Sequence, residues 1–299
     1  MRFAVLLAVA GVASTYTVTT ASRFMEKNFD PIVIPGKYES HLHTFFGSDA
    51  VTPTTNTSKE LQAGCSTAQN PNDYSSYWVP SLVVKKDNGS VERVPVSRFS
   101  AYYVGIENAE IAIPQDFKNV VGNASATSHD RRSRARWPLL THLQTILLFH
   151  DCVNPETLES DYSGTQHWSS WGVPPNRCPP DWKRIPQLRF SIRYDLRKVL
   201  PDGWSAAPPL ELACGNSYCF HGDFINGWLP EAAENMLLAN SKREFAGVSG
   251  PNGNFNDGSV CGSENAHDQN PAEGTSDYLE ASKIVADAKV DKVEDAFQS

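Results

Sequence analysis

The sequence predicts a mainly β protein: a single β-rich, sandwich-like domain with long irregular loops. Three observations carry that expectation. Apolar and polar residues alternate at a period of two in Lys37–Gly47 and again in Leu188–Asp195, as half-buried strands require. Gly, Pro, Asn and Asp interrupt the chain so often that its apolar runs stay short. Helical spacing is confined to two stretches, a short one near 229–239 and a C-terminal one at 276–297. Hydrophobic residues at 40% and aromatics at 10% supply a real core, and 299 residues suit one large domain or two small ones.

Taken in order, the chain opens with Met1-Arg2, the apolar run Phe3–Ala13 and polar Ser14-Thr15, which reads as a secretory signal peptide over 1–14. That run is too short to span a bilayer, and no later stretch is long and apolar enough to do so. The β-rich domain is expected over 24–245. Residues 24–50 hold a Pro35-Gly36 turn and the strand with His41 and His43. Tyr77–Val84 reads as one strand, returned as a hairpin by Asp87-Asn88-Gly89-Ser90. Val91–Val96, Ala101–Ile106 and Glu110–Ile113 are further short strands, while Gln115–Gly122 reads as a turn of helix or an irregular crossing. Ser125–Arg136 is polar and loop-like, and Gln144–Phe149 is β-like. The Pro-, Gly-, Ser- and Trp-rich segment 154–186 is a long loop of the kind that carries function in compact domains. Leu210–Ala213 and Tyr218–Phe224 are strands. Leu229–Ala239 is a helix, with Pro230 suited to its first turn. Residues 246–275 read as a Gly/Asn-rich loop or disordered linker, and 276–299 as a helical tail started by Asp277 and Glu280.

A net charge of −8 argues against nucleic acid and acidic membrane surfaces as partners. Six cysteines suit a chain exported to an oxidising compartment, with Cys214–Cys219 across a tight loop and Cys152–Cys178 as the expected pairs. Asn56, Asn88 and Asn123 each begin a glycosylation sequon, a sign of surface loops in a glycoprotein.

The chemistry concentrates in two short motifs. On an extended chain His41 and His43 share a face while Leu42 takes the other. His221-Gly222-Asp223 repeats the spacing, with Gly222 allowing close approach of backbone. If the fold joins them, His41, His43, His221 and Asp223 form a catalytic His/Asp centre. Alternatively His41, His43 and His221 ligate a divalent metal such as zinc, copper or manganese. A carboxylate beside an imidazole also makes an oriented general base. The plainer alternative is that these histidines bond backbone carbonyls in the core. Trp78, Trp168, Trp171 and Trp228, with Tyr77, Tyr103 and His167, are candidates for a sugar-binding floor; any one tryptophan is better explained as packing, with Trp168 and Trp171 in the irregular loop the best exceptions. Asp73, Asp161, Asp195 and Asp223 are the acids available for glycoside hydrolysis. No Gly-x-Ser-x-Gly elbow and no phosphate-cradling glycine loop is present.

Phe29-Asp30-Pro31 through Gly36, His41-Leu42-His43, Cys65, Asp73–Leu82, Tyr102-Tyr103, Ile113–Phe117, Cys178-Pro179, Ile185–Leu188 and Phe220–Trp228 follow one another in an order that resembles the DUF1996 family. That is a domain of unknown function found mainly in secreted fungal proteins. The resemblance spans roughly residues 28–240 and implies an exported, β-rich protein of a kind sometimes joined to cell-wall-binding modules. The chain departs from the family pattern in three places. It has Cys65 where the family often has Cys-x-x-Cys, and Asp151-Cys152-Val153-Asn154 where the family resembles Cys-Trp-Asp-Gly. The family's Asp-His-x-Ser-His reads here Asp161-Tyr162-Ser163-Gly164-Thr165-Gln166-His167, with one histidine missing and the other displaced by an insertion. The combined expectation is a secreted protein that acts on or binds cell-wall polysaccharide through its His/Asp centre, as hydrolase or lyase. The alternatives are a non-catalytic wall-binding or host-interaction protein and an extracellular metal-binding protein.

Overall fold

The alternating segments become strands of two five-stranded and two three-stranded antiparallel sheets. The computed structural model describes residues 16–126, 134–136, 142–164, 177–204, 209–239, 248–254 and 274–289. The signal-like segment, the stretch bearing His167, Trp168 and Trp171, and most of the Gly/Asn-rich 246–275 lie outside the described residues.

In chain order the first elements are β1 (Tyr16–Ala21), β2 (Arg23–Lys27), β3 (His43–Gly47), α1 (Ser58–Gln62), β4 (Ser76–Pro80), β5 (Leu82–Lys85) and β6 (Val91–Arg93). There follow β7 (Val96–Val104), β8 (Lys118–Gly122), β9 (Arg134–Arg136), β10 (His142–Leu148), β11 (Cys152–Val153), β12 (Ser160–Asp161) and β13 (Lys183–Arg184). The chain continues through β14 (Gln187–Asp195), β15 (Leu210–Leu212), β16 (His221–Ile225), α2 (Pro230–Met236) and α3 (Gly274–Ala288). One large sheet runs β1-β7-β14-β10-β9, the other β2-β3-β4-β16-β8. Rings from the facing sides interdigitate: Phe46 stacks on Phe99 at 4.1 Å between centroids, and Tyr77 meets Phe190 edge-on at 5.7 Å. A fully buried aromatic side chain contributes roughly 1.5–3 kcal/mol, so this seam is the principal adhesive of the sandwich. The sheets close on Gly222, where a Cβ would stand 2.4 Å from Leu147 Cδ2. The expectation of a β-sandwich with few helices is met.

Several elements differ from the sequence reading. Tyr77–Val84 is not one strand but two, β4 and β5, in different sheets. Pro80 has no N–H to carry the ladder onward, and Ser81 turns its own N–H to the Leu42 carbonyl (2.9 Å) and its hydroxyl to Thr44 Oγ1 (2.6 Å). Lys118–Gly122 is a strand rather than an irregular crossing, because pairing with β16 overrides its weak local pattern. Glu110–Ile113 forms no strand; the Glu110 and Ile111 N–H groups both donate to the Arg184 carbonyl. β1 lies directly after the signal-like run and pairs along its whole length with β7.

Both expected disulfides are present, Cys152–Cys178 and Cys214–Cys219. Asn56, Asn88 and Asn123 are all exposed. α3 docks onto the body. Its buried Asp277 accepts from Tyr38 Oη (2.6 Å) and from the Asn28 N–H (3.3 Å), and Tyr278 packs with Leu42 and Val83. No helix among the described residues is long and apolar enough to cross a membrane.

Candidate functional site

Strand alternation decides which residues meet. On the β2-β3-β4-β16-β8 sheet, Phe46, Tyr77, Gly222 and Phe224 turn inward to the sandwich. His43, Phe45, Trp78, His221, Asp223 and Ile225 turn to the opposite face. There Phe45, Trp78 and Ile225 join Phe24 and Phe29 in a second apolar cluster, whose Phe45 meets the His43 ring edge-on at 6.1 Å between centroids. The register does the rest. Asp223 lies opposite Trp78, and His43 lies opposite Pro80. Continued by one pleat, the same register sets His221 on the other side of Pro80. A proline ring is compact, so the imidazoles from β3 and β16 meet across it.

The two motifs therefore converge. His43 Nε2 lies 3.3 Å from His221 Nε2, and the His41 ring sits 4.1 Å from that of His43 and 4.9 Å from that of His221, between centroids. Asp223 Oδ2 is 3.8 Å from His221 Nε2. All are buried: His41 1%, His43 0%, His221 3% and Asp223 0% exposed.

Hydrogen bonds fix the tautomers. His43 Nδ1–H donates to the Phe29 carbonyl (3.0 Å), and His221 Nδ1–H donates to the Cys219 carbonyl (2.7 Å). In a neutral imidazole this leaves Nε2 as the lone-pair nitrogen. The alternative of carbonyl-bonded core histidines thus describes one edge of each ring, while the other edges face one another. Two lone pairs at that range repel unless a cation lies between them. A proton is a poor one here, because burial, together with the neighbouring His41 and His221, pushes His43 well below the usual histidine range.

Sequence reasoning did not find Asp30. Its Oδ1 accepts from the Ile32 and Val33 N–H groups at 2.8 Å each, and its Oδ2 stands 3.9 Å from His43 Nε2 and 3.4 Å from Trp78 Nε1. Burial pushes this carboxyl above the usual range. The available signal was its place in Phe29-Asp30-Pro31, where an aspartate closes a turn on its own backbone. Cys214 also approaches His41 and His221 but is oxidised with Cys219, so it offers no thiolate.

The remaining aromatic candidates lie in the core rather than on a sugar-facing surface: Tyr77, Trp78 and Tyr103 are 0% and Trp228 1% exposed. Three of them join one hydrogen-bonded chain. Trp228 Nε1–H donates to Tyr103 Oη (2.8 Å), the hydroxyls of Tyr103 and Tyr77 are 2.8 Å apart, and Tyr77 donates to Asp73 Oδ2 (2.7 Å). Their polar handles are thus used internally. Of the other acids, Asp73 precedes β4, Asp161 ends β12 and Asp195 ends β14, each on a different element from Asp223. His167, Trp168 and Trp171 fall outside the described residues.

No curated protein and no solved structure is significantly similar to the chain. The profile of DUF1996, a domain of unknown function, matches residues 30–142 and 132–228, a span that takes in His41, His43, His221, Asp223 and Asp30. The chain belongs to the DUF1996 family.

Proposed function

We propose that this protein is an exported metal-binding protein whose ion, a first-row divalent cation of the zinc class, sits between His43 and His221 with Asp223 beside it. One observation carries the reading: the facing Nε2 atoms are 3.3 Å apart. Two imidazole nitrogens held by one metal at ~2.0–2.1 Å and the tetrahedral angle are separated by roughly 3.3–3.4 Å. The donors suit the ion: two neutral imidazoles and a carboxylate are the set that zinc, manganese, iron and copper accept. Phe29 and Cys219 would act as the outer carbonyl partners that aim a ligating histidine. The paired cysteines favour an oxidising, extracellular setting.

Elemental analysis of the purified full chain tests this. About one equivalent of a first-row divalent metal is expected after equilibration with a mixture of such ions. Asp223→Asn is expected to weaken retention by at least about tenfold in chelator competition. Substoichiometric metal in the wild type, with no uptake from the mixture, would remove the proposal.

A second reading keeps action on cell-wall polysaccharide, as hydrolase or lyase, at the same His/Asp centre. What favours it is the convergence of three imidazoles and a carboxylate, a set capable of acid–base work. What weighs against it is the burial of those groups and of Tyr77, Trp78, Tyr103 and Trp228, the described aromatics proposed to carry the sugar. Release of reducing ends from chitin, β-glucan or cellulose, lost in His43→Ala, would restore it. Binding without release would identify a wall-binding protein instead.

A further inference from the structure

The outward side of the β1-β7-β14-β10-β9 sheet carries chemistry that neither reading uses. Phe99, Tyr103, Phe190 and Ile192 turn into the core, so the alternate positions Arg98, Tyr102, Arg189 and Arg193 turn outward. Arg98, Tyr102 and Arg189 are partly exposed and Arg193 is exposed. In register, Gln144 lies opposite Arg193, and β9 sets Arg136 beside Gln144. A row of Arg98, Arg193, Gln144 and Arg136 thus crosses four strands, about 14 Å at the usual strand spacing. Arg134, beside Ile146, is a fifth arginine in a sheet whose strands contain one acid, Asp195 at the end of β14.

This concentration of positive charge belongs to a chain of net charge −8. Arg98 and Arg193 stand directly opposite one another, and like charges so placed destabilise a sheet. Among the described residues Arg23, Arg93 and Arg184 are ion-paired with carboxylates, whereas Arg189 and Arg193 are not. An anion laid along the row would turn the repulsion into attraction, and a guanidinium fork matches the two oxygens of a carboxylate.

Flat rings accompany the charges. The Arg189 guanidinium lies over the Tyr102 ring at 4.4 Å, and Tyr16, also partly exposed, is 5.9 Å from Tyr102 between centroids. Arg98 Nε–H donates to Ser100 Oγ (3.0 Å) and Gln144 Nε2–H to Ser191 Oγ (2.8 Å), which lays both long side chains along the sheet. Arginines that hold carboxylates, next to tyrosines that pack on apolar ring faces, suit a chain of acidic sugars better than a small inorganic anion.

We infer that this face binds an acidic polysaccharide, one that carries a carboxylate on most of its sugars. The inference rests on neither the metal nor the hydrolytic reading, since the histidines belong to the other large sheet.

The test is calorimetric titration of the full chain at low salt with polygalacturonate, and with its methyl ester, which keeps the sugar backbone and removes the charge. Saturable binding of polygalacturonate is expected, at least about tenfold tighter than that of the ester and weakening as salt is added. Arg98→Gln/Arg193→Gln is expected to weaken it at least about tenfold, with a thermal midpoint unchanged or raised because the opposed charges are gone. Arg193→Gln alone, at an exposed position, is expected to weaken it about threefold, and Tyr102→Ala about three- to tenfold. Lys59→Gln/Lys283→Gln removes the same charge from α1 and α3 and is expected to bind as the wild type does. Absence of saturable polygalacturonate binding overturns the inference, as does binding undiminished in the arginine variants or equally lost in the lysine variant. Equal binding of the ester overturns carboxylate recognition, and tighter binding of single-stranded DNA overturns the polysaccharide in favour of nucleic acid. Metal content is expected to stay unchanged throughout, so this result and that for the histidine site fail or stand separately.

Discussion

Stripping the protein with a chelator is expected to lower its thermal midpoint by about 10 °C, and Zn²⁺ is expected to restore it in the wild type but not in His43→Ala. The magnitude follows from mass action. A ligand present at a thousand times its Kd stabilises the folded state by about 4 kcal/mol, and a chain of this size shifts by roughly 2–4 °C per kcal/mol. The direction follows from the site. Without an ion, the Nε2 lone pairs of His43 and His221 oppose one another at 3.3 Å in a setting with no bulk water to separate them. With an ion, that repulsion becomes coordination. His43→Ala removes one partner and opens a small cavity, so its metal-free form is expected to be less stable as well. The informative quantity is the response to Zn²⁺ rather than the starting midpoint. An equal response in wild type and variant would place the ion elsewhere, and no response in the wild type would leave the histidines purely architectural.

The second large effect is expected from pH at Asp73. Burial holds this carboxyl up to about 6, against the hydrogen bonds it accepts from Tyr77 and Ser75. A carboxyl raised in the folded state stays protonated there after the unfolded chain has released its proton. Its contribution is therefore neutral below about pH 4, turns progressively unfavourable as pH rises towards 6, and levels off above about pH 7. The size at that plateau is about 3 kcal/mol. Asp73→Asn resembles the protonated form, since its amide can donate to the Tyr77 oxygen where the acid O–H would. Denaturant unfolding of both proteins from pH 4 to 7.5 is expected to show the variant gaining about 3 kcal/mol on the wild type across that interval. Parallel stability curves would mean that the chain from Trp228 through Tyr103 and Tyr77 stabilises the carboxylate as fully as water does.

Both effects rest on groups whose types were legible in the sequence and whose surroundings were not. The pairing of His41 with His43 follows from the two-residue period, and His221 with Asp223 from the same rule. Asp30 was present only as a turn residue, because its approach to His43 depends on how the 28–41 segment folds back over the sheet. Trp78 and Trp228 read equally well as sugar platform and as packing, since an indole serves both. Only burial separates the two uses.

By itself, then, the sequence determined the class of the molecule: strands of short alternation, an even set of cysteines suited to disulfides, and histidines spaced to share a face. These are local matters, settled by side-chain period, turn residues and composition, whereas the partners of the cysteines were only an expectation until the fold brought them together. The tertiary structure alone decided that β3 and β16 flank β4, that Pro80 lies between His43 and His221, and that the whole cluster is buried. Strand order and register arise from contacts between residues far apart in the chain, such as His43 and His221, and a local pattern holds no record of which distant partner a strand will choose.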